Sequence, residues 1–483
     1  MLLYPHLYID GQWVEPTEPR HVELIDPTRE VAFAKVAIGT AADVDLAAAA
    51  ASRAFPSFST TPVAERIALI DRIIDVYESH ADEFSQLIAR EVGIPVANRA
   101  QVNGPAGHMK VARDVLRNYQ FEASIGDAIV RREPIGVCAL ISPWNWPVQT
   151  GVIKVIYALA AGCTVIAKPS MNAAASGTLF AQVLHEAGVP AGVFNLVNGT
   201  GREVGDTMSR HPLVDMVSFT GSTAAGRQVG AAAADTVKRV SLELGGKSAN
   251  VVLPDADLEK AARWTIQRCF FNAGQSCHAP ARMLVHESQI DEIVPFLVDE
   301  ARSFRLGDPL ESSTTMGPVV SADQYKSIRD LIKRGIDEGA VLATGGLEVP
   351  DGLDVGYFVQ PTVFTNVTPE MTIAREEIFG PVLAVMPYRD EDDALRIAND
   401  SPYGLGGYVF GGERTNPHRI VNGLRAGRVS YNGAPTDSYT PMGGYKQSGI
   451  GRSMGRFGLE EYLEIKSIYG FGDEAQALPK LFG

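Results

Sequence analysis

The chain has 483 residues, 45% hydrophobic and 21% charged, a balance that suits about three globular domains of ~150 residues and excludes wholesale disorder. Lys plus Arg total 43 against 57 Asp plus Glu, a formal net charge of -14, which opposes binding to a nucleic-acid backbone or to anionic lipid. The cysteines Cys138, Cys163, Cys269 and Cys277 form no CxxC pair and no secreted-style framework, so no metal ligation and no disulfide stapling are expected, and a reducing, cytoplasmic setting fits best.

In chain order, residues 1–13 mix Tyr4, His6, Tyr8 and Asp10 into a short apolar stretch without the basic start and unbroken apolar run of a signal peptide. The Ala-rich patches 47–51 and 231–234 read as good helix formers. Segment 121–134 alternates apolar residues as a hairpin does, as does the tail 465–469, and the two are expected to pair into an intersubunit sheet. Apolar runs at 137–141, 164–167, 193–197, 216–220 and 240–244 predict buried strands, separated by helices over 151–161, 173–188, 202–211 and 223–235. The longest apolar run, 155–167, has 13 residues, short of the ~20 a membrane-spanning helix needs. This βαβ series predicts an α/β fold with a Rossmann-like parallel sheet, whose ligands bind beyond the carboxyl ends of the strands. From Ala249 to about Thr344, a strand at 283–286 and a helix at 323–338 predict a second α/β domain.

The strand ends carry the candidate chemistry. Phe219-Thr220-Gly221-Ser222 places a small turn between a strand and a helix start, where free N–H groups attract phosphate, although such a connection also needs glycine for steric reasons alone. Gly199, Gly201 and Gly205 form a second turn that reads more readily as a connection, and Lys168-Pro169-Ser170 places an amine where it can reach ribose or phosphate oxygens. Cys277 lies among small and polar residues after a helix, unlike the other three cysteines, which read as core. Glu243 ends an apolar strand, where burial raises a carboxyl toward the range of a general base, and Asn145 ends another, where its amide can serve an oxyanion or simply a turn.

Pro143-Trp144-Asn145, Lys168-Pro169-Ser170, Phe219-Thr220-Gly221-Ser222, Glu243-Leu244-Gly245-Gly246-Lys247, Gly274-Gln275-Ser276-Cys277, Glu377-Ile378-Phe379-Gly380-Pro381 and Gly443-Gly444-Tyr445-Lys446-Gln447-Ser448-Gly449 together resemble the aldehyde dehydrogenase superfamily, in the family's order and over nearly the whole chain. The resemblance implies an enzyme of the hydrolytic type that oxidises an aldehyde to a carboxylic acid with NAD+ or NADP+. It implies Cys277 as nucleophile, Asn145 as oxyanion donor and Glu243 as base. It also implies Trp144 and Ser222 near the pyrophosphate, Lys168 at the adenine ribose and Glu377 with Phe379 at the nicotinamide ribose. Ser170, Gly201, Gly205, Phe219, Thr220, Gly221, Leu244 and Gly245 complete the expected cofactor contacts. Lys154 and Glu464 match less firmly as a proton path from Glu243, an ordinary ion pair being the alternative.

By the same resemblance, Trp146, Gln149, Ile153, Ser276, His278 and the loop 434–439 line the aldehyde channel. With no cationic clamp among these residues, a neutral aliphatic or aromatic aldehyde is favoured over a carboxylate-bearing one, unless Arg282 faces the channel. Many relatives that prefer NAD+ carry a glutamate where this chain has Met171, so weaker discrimination against NADP+ is expected. Met442 replaces an aromatic residue and softens the pocket wall. Glu243 argues against an acylating dehydrogenase that uses coenzyme A, and the Asn145, Glu243 and Cys277 set argues against a non-catalytic scaffold. The expected division is a dinucleotide-binding domain over 1–115 and 135–245, a catalytic domain over 246–447, and a bridging β element over 116–134 and 448–483 that builds a homodimer or homotetramer.

Overall fold

Five apolar strands, Val137–Ser142, Thr164–Pro169, Phe194–Leu196, Met216–Thr220 and Arg239–Glu243, run parallel at the centre of an eight-stranded sheet in the computed structural model, which describes residues 1–481. Along these strands, side chains alternate between two cores: Cys138, Leu140 and Val165 pack on one face, and Val137, Ala139, Ile141 and Ile166 on the other. Helices cover both faces, so the strands read in sequence as continuous apolar runs. The helix Pro147–Ala161 starts four residues before the expected 151, because Pro147 supplies the helical φ of a first turn, and it stops at Gly162 with φ 98°. The expected helix over 202–211 divides into a wide turn, Gly201–Gly205, and the short helix Asp206–Arg210.

Across the sheet the order is Arg239–Glu243, Met216–Thr220, Val137–Ser142, Thr164–Pro169, Phe194–Leu196. The chain therefore winds away from Val137–Ser142 in one direction and later returns to its other side with Met216–Thr220. That reversal opens a crevice at the carboxyl ends of these two strands, where Pro143-Trp144-Asn145 and Gly221-Ser222 follow. Gly449–Ile450, assigned from sequence to the bridging element, instead adds an antiparallel edge beside Arg239–Glu243.

A second sheet of seven strands runs from Val341–Thr344 to Arg428–Tyr431 and is parallel except at its Val341–Thr344 edge. The hairpin Glu122–Ile125 with Ala128–Pro134 takes Leu463–Ile468 as a third, antiparallel strand, from Leu463 opposite Pro134 to Ile468 opposite Ile129. The expected pairing of hairpin and tail thus forms within one chain. A fourth small sheet joins Leu2–Tyr4, Val31–Ile38 and Arg20–Asp26. Among the described residues no helix is long and apolar enough to cross a membrane.

Candidate active site

Cys277 is delivered by a strained loop. After the helix Leu258–Phe270 the backbone turns left-handed at Asn272 (φ 56°), Ala273 (φ 52°) and Gly274 (φ 72°), a conformation that costs a non-glycine residue roughly 1–2 kcal/mol. Buried side-chain amides hold it. Asn272 Nδ2 donates to the Asn145 carbonyl (2.8 Å), Gln275 Nε2 donates to the Asn272 carbonyl (3.1 Å), and Gln275 Oε1 accepts from the Val320 N–H (2.8 Å). Gly274 presses so closely on Gly380 that a Cβ would stand 2.0 Å from its carbonyl oxygen. Cys277 as a residue is partly exposed, whereas Cys138, Cys163 and Cys269 are buried.

Asn145 Nδ2 donates to the Gln275 carbonyl at 3.0 Å, which orients the amide and leaves its second N–H for another acceptor. Glu243, buried at the end of its strand, accepts from Ser453 Oγ at 2.6 Å. Cys277, Asn145 and Glu243 line one cavity of about 220 Å³ together with Thr220, Gly221, Ser222, Glu377 and Phe379. Burial first, then the negative charges of Glu377 and Glu243, pushes the Cys277 thiol up. Burial also raises Glu243, while Ser453, Lys154 and Arg428 hold it down in part. The resting pair is therefore a neutral thiol beside a carboxyl of raised basicity, and the sulfur loses its proton as it forms a bond.

The same cavity continues into a cradle that suits a dinucleotide. Ser222 caps the helix Thr223–Ala234, its Oγ accepting from the Ala225 N–H, so the free first-turn N–H groups and the positive end of the dipole face the crevice beside Gly221. Glu377 Oε1 accepts from the Gly246 N–H at 2.9 Å, and a Cβ at Gly245 would stand 2.2 Å from Glu377 Oε2, so a side chain there would push the carboxylate from its place. Burial lifts Glu377 to about 7. Trp144 meets the ring of Phe379 edge-on, centroids 5.4 Å apart. Lys168 is buried and pushed down to about 8, and its Nζ donates only to the Pro169 carbonyl at 3.3 Å. A desolvated ammonium with one long partner suits an added oxygen acceptor. Gly205 packs on the Lys168 stem, Gly201 faces open space, and the Ser170 N–H bonds the Ser142 carbonyl. Phe219 and Leu244 are buried in the core beneath the crevice.

Trp146 stacks on Phe271 and His278, with centroids at 5.7 and 6.4 Å, and its Nε1 donates to Ser276 Oγ at 3.3 Å. Gln149 stands against Gly104 from the neighbouring helix, and Ile153 packs partly buried against the helical core. One expectation needs correction. Glu464 does not meet Lys154: it is exposed on its strand and pairs with Arg239 at 2.8 Å, while Glu461, one turn earlier, is the tail carboxylate whose charge acts on Lys154. Lys154 itself is buried and donates to Ser218 Oγ at 2.7 Å. Arg282 faces away from the channel, donating to the carbonyls of Lys247, Ile397 and Ala398. Sequence reasoning missed Gln324, which donates to the Ile378 and Phe379 carbonyls, as well as Ser453 and Arg428. None of the three belongs to a motif that marks it.

Residues 13–468 match the model of the aldehyde dehydrogenase family. The chain belongs to this family. A curated relative from Pseudomonas sp., 3-succinoylsemialdehyde-pyridine dehydrogenase, is 50% identical over 97% of this chain and 99% of its own. A cysteine-to-alanine mutant of aldehyde dehydrogenase C from Pseudomonas syringae, solved with NAD+ and octanal, is 46% identical over 96% of both chains, with a TM-score of 0.95. A Mycobacterium tuberculosis aldehyde dehydrogenase solved with NAD+ is 38% identical over 97% of this chain and 98% of its own, with a TM-score of 0.93. The enzyme is an NAD(P)+-dependent aldehyde dehydrogenase of α/β fold, with Rossmann-like cofactor and catalytic sheets.

Proposed function

We propose that this aldehyde dehydrogenase works by the hydrolytic route, with Cys277 as nucleophile, Asn145 as oxyanion donor and Glu243 as base. The observation that carries the reading is their convergence on one cavity at the crevice of the parallel sheet. Cys277 Sγ bonds to the aldehyde carbon as its S–H proton passes to Glu243 and from there to solvent, and the negative charge gathered on oxygen is met by the free N–H of Asn145. Bound NAD(P)+ supplies the two-electron acceptor for the hydride that leaves this carbon. Glu243 then takes a proton from water, the hydroxyl oxygen adds to the thioester carbon, and the C–S bond breaks to return Cys277 and release the acid. Trp144, Ser222 and the Gly221 turn would hold the pyrophosphate, Lys168 one ribose and Glu377 with Phe379 the other. Met171 offers no carboxylate to the ribose hydroxyls and none to repel a 2′-phosphate, so both cofactors are accepted.

The aromatic walls Trp146, Phe271 and Trp264 favour a substrate with a neutral aliphatic or aromatic body, in keeping with the octanal in the Pseudomonas syringae structure and the pyridine-bearing semialdehyde that names the Pseudomonas relative. The sequence division into cofactor, catalytic and bridging parts is retained apart from Gly449–Ile450; Phe482 and Gly483 lie outside the described residues. Homo-oligomer formation through the bridging sheet and a reducing, cytoplasmic setting for the four free cysteines complete the reading.

The test is aldehyde-dependent NAD(P)H formation by the wild-type enzyme and Cys277→Ala, with and without coenzyme A. Turnover should fall at least ~1,000-fold in the variant, while equilibrium cofactor binding persists. Turnover that needs added coenzyme A would replace hydrolysis with acyl transfer, and turnover retained by Cys277→Ala would remove the nucleophile from the scheme.

A further inference from the structure

Behind His278 lies a second, smaller cavity, about 70 Å³, lined by Trp264, Arg268, Tyr408, Arg428 and Met442 among others. His278 directly follows Cys277, and Tyr408 Oη donates to its carbonyl at 2.6 Å, so this space begins one residue from the proposed nucleophile. Its lining contains two guanidinium groups and no carboxylate. Arg268 is exposed at the rim, its Cζ 5.8 Å from the Trp264 ring centroid. Arg428, at the first position of the edge strand Arg428–Tyr431, is half-buried, and its Nη2 is sealed from solvent with no hydrogen-bond partner among the described residues. It enters no ion pair there. A guanidinium that lines a cavity and pairs with no protein acceptor has N–H groups to offer a ligand.

Neighbouring groups offer little competition for that donor. The partly exposed His278 and the buried His108 are both pushed down to about 4, by desolvation first and then by the Arg428 charge, so both are neutral at physiological pH. His108 Nδ1 is also without a partner. The Arg428 charge reaches Glu243, which keeps its own bond to Ser453.

We propose that Arg428 reads the substrate: its guanidinium, which lines the pocket behind His278 and donates no hydrogen bond among the described residues, binds an acceptor oxygen, of a ketone or a carboxylate, carried by the aldehyde away from its reacting carbon. The inference rests on the aldehyde-oxidising reading above and adds a specificity residue. The body of such a substrate lies against Trp264 and Met442, and its oxygen fixes which carbon meets Cys277. Desolvation of the guanidinium makes the discrimination steep, because an alkyl chain of equal length leaves the donor unpaired.

The test compares three aldehydes of matched chain length, bearing a terminal carboxylate, an internal ketone or only methylene groups. The readout is the ratio of kcat/KM values within each enzyme form, so that any general loss cancels. In the wild type, at least one acceptor-bearing aldehyde should exceed the alkanal by about 10- to 100-fold, and the ratio should fall toward one in Arg428→Met. Whether ketone or carboxylate leads identifies the source of the oxygen. Should Arg428→Met not fold, Arg428→Lys carries the test, since a point charge without the planar fork should lower the ratio severalfold. A wild-type ratio near one, or the same ratio in the variant that folds, overturns the proposal while leaving aldehyde oxidation intact. Failure to oxidise any aldehyde would instead overturn the reading of the site.

Discussion

Lys154 shows how a single buried charge tunes the proposed base. Burial lowers its ammonium to about 8, yet it stays mostly protonated at pH 6–7, and its charge favours the ionised form of Glu243. Glu243 works as a base only when ionised, and its raised carboxyl moves the acid-side loss of activity to higher pH than an ordinary glutamate would give. In Lys154→Met the opposing charge is gone, the carboxyl rises further, and the loss begins at higher pH still. Turnover of the variant relative to wild type should therefore be about 3- to 10-fold lower at pH 6 than at pH 8. A pH–rate profile that keeps its wild-type shape would make Lys154 purely structural. Residues of this kind were only half legible. Lys154 stood in a helix already recognised, but the choice between Glu461 and Glu464 depends on where the helix Gly455–Glu460 ends and the strand Leu463–Ile468 begins, a boundary that local pattern does not set.

At the scale of elements, the parallel strands were readable because both their faces are covered, so their residues form unbroken apolar runs. The loop before Cys277 was not, since the left-handed turn at Asn272 and Ala273 is imposed by amides from Asn145 and Gln275 and by contact with Gly380, partners that only the fold brings together. Arg428 escaped notice for the same reason: its strand joins the pocket from more than a hundred residues away. The connection Lys168 to Ala173, between the strand Thr164–Pro169 and the next helix, carries its own expectation. Glu91 caps that helix by accepting from the Ala175 and Ser176 N–H groups, so its carboxylate is committed, and in the proposed cofactor placement Met171 would leave the ribose without an acidic partner. Met171→Glu should raise the preference for NAD+ over NADP+, as a ratio of kcat/KM values, by about tenfold or more. Unchanged cofactor kinetics would move the ribose hydroxyls away from residue 171.

Over the whole molecule, the bridging sheet is the part least able to stand alone. Ile465 and Tyr469 are 66% and 75% exposed, and Ile125 and Phe471 add further apolar surface on or beside the same three strands. A three-stranded sheet with open edges and exposed apolar side chains suits coverage by another copy of the chain. Ile465→Glu should therefore lower the mass measured by light scattering at micromolar concentration toward that of a single chain. A wild-type enzyme already of single-chain mass would dismiss the assembly.

The tail also reaches the candidate site. Ser453 bonds Glu243, Gly449–Ile450 flanks the strand that ends in it, and Leu463–Ile468 completes the hairpin leading into the strand before Asn145. During translation, Cys277 and Glu243 leave the ribosome long before these stabilising segments exist. A nascent chain that has not yet reached Ser453 thus carries Cys277 beside a Glu243 that still lacks its hydroxyl partner.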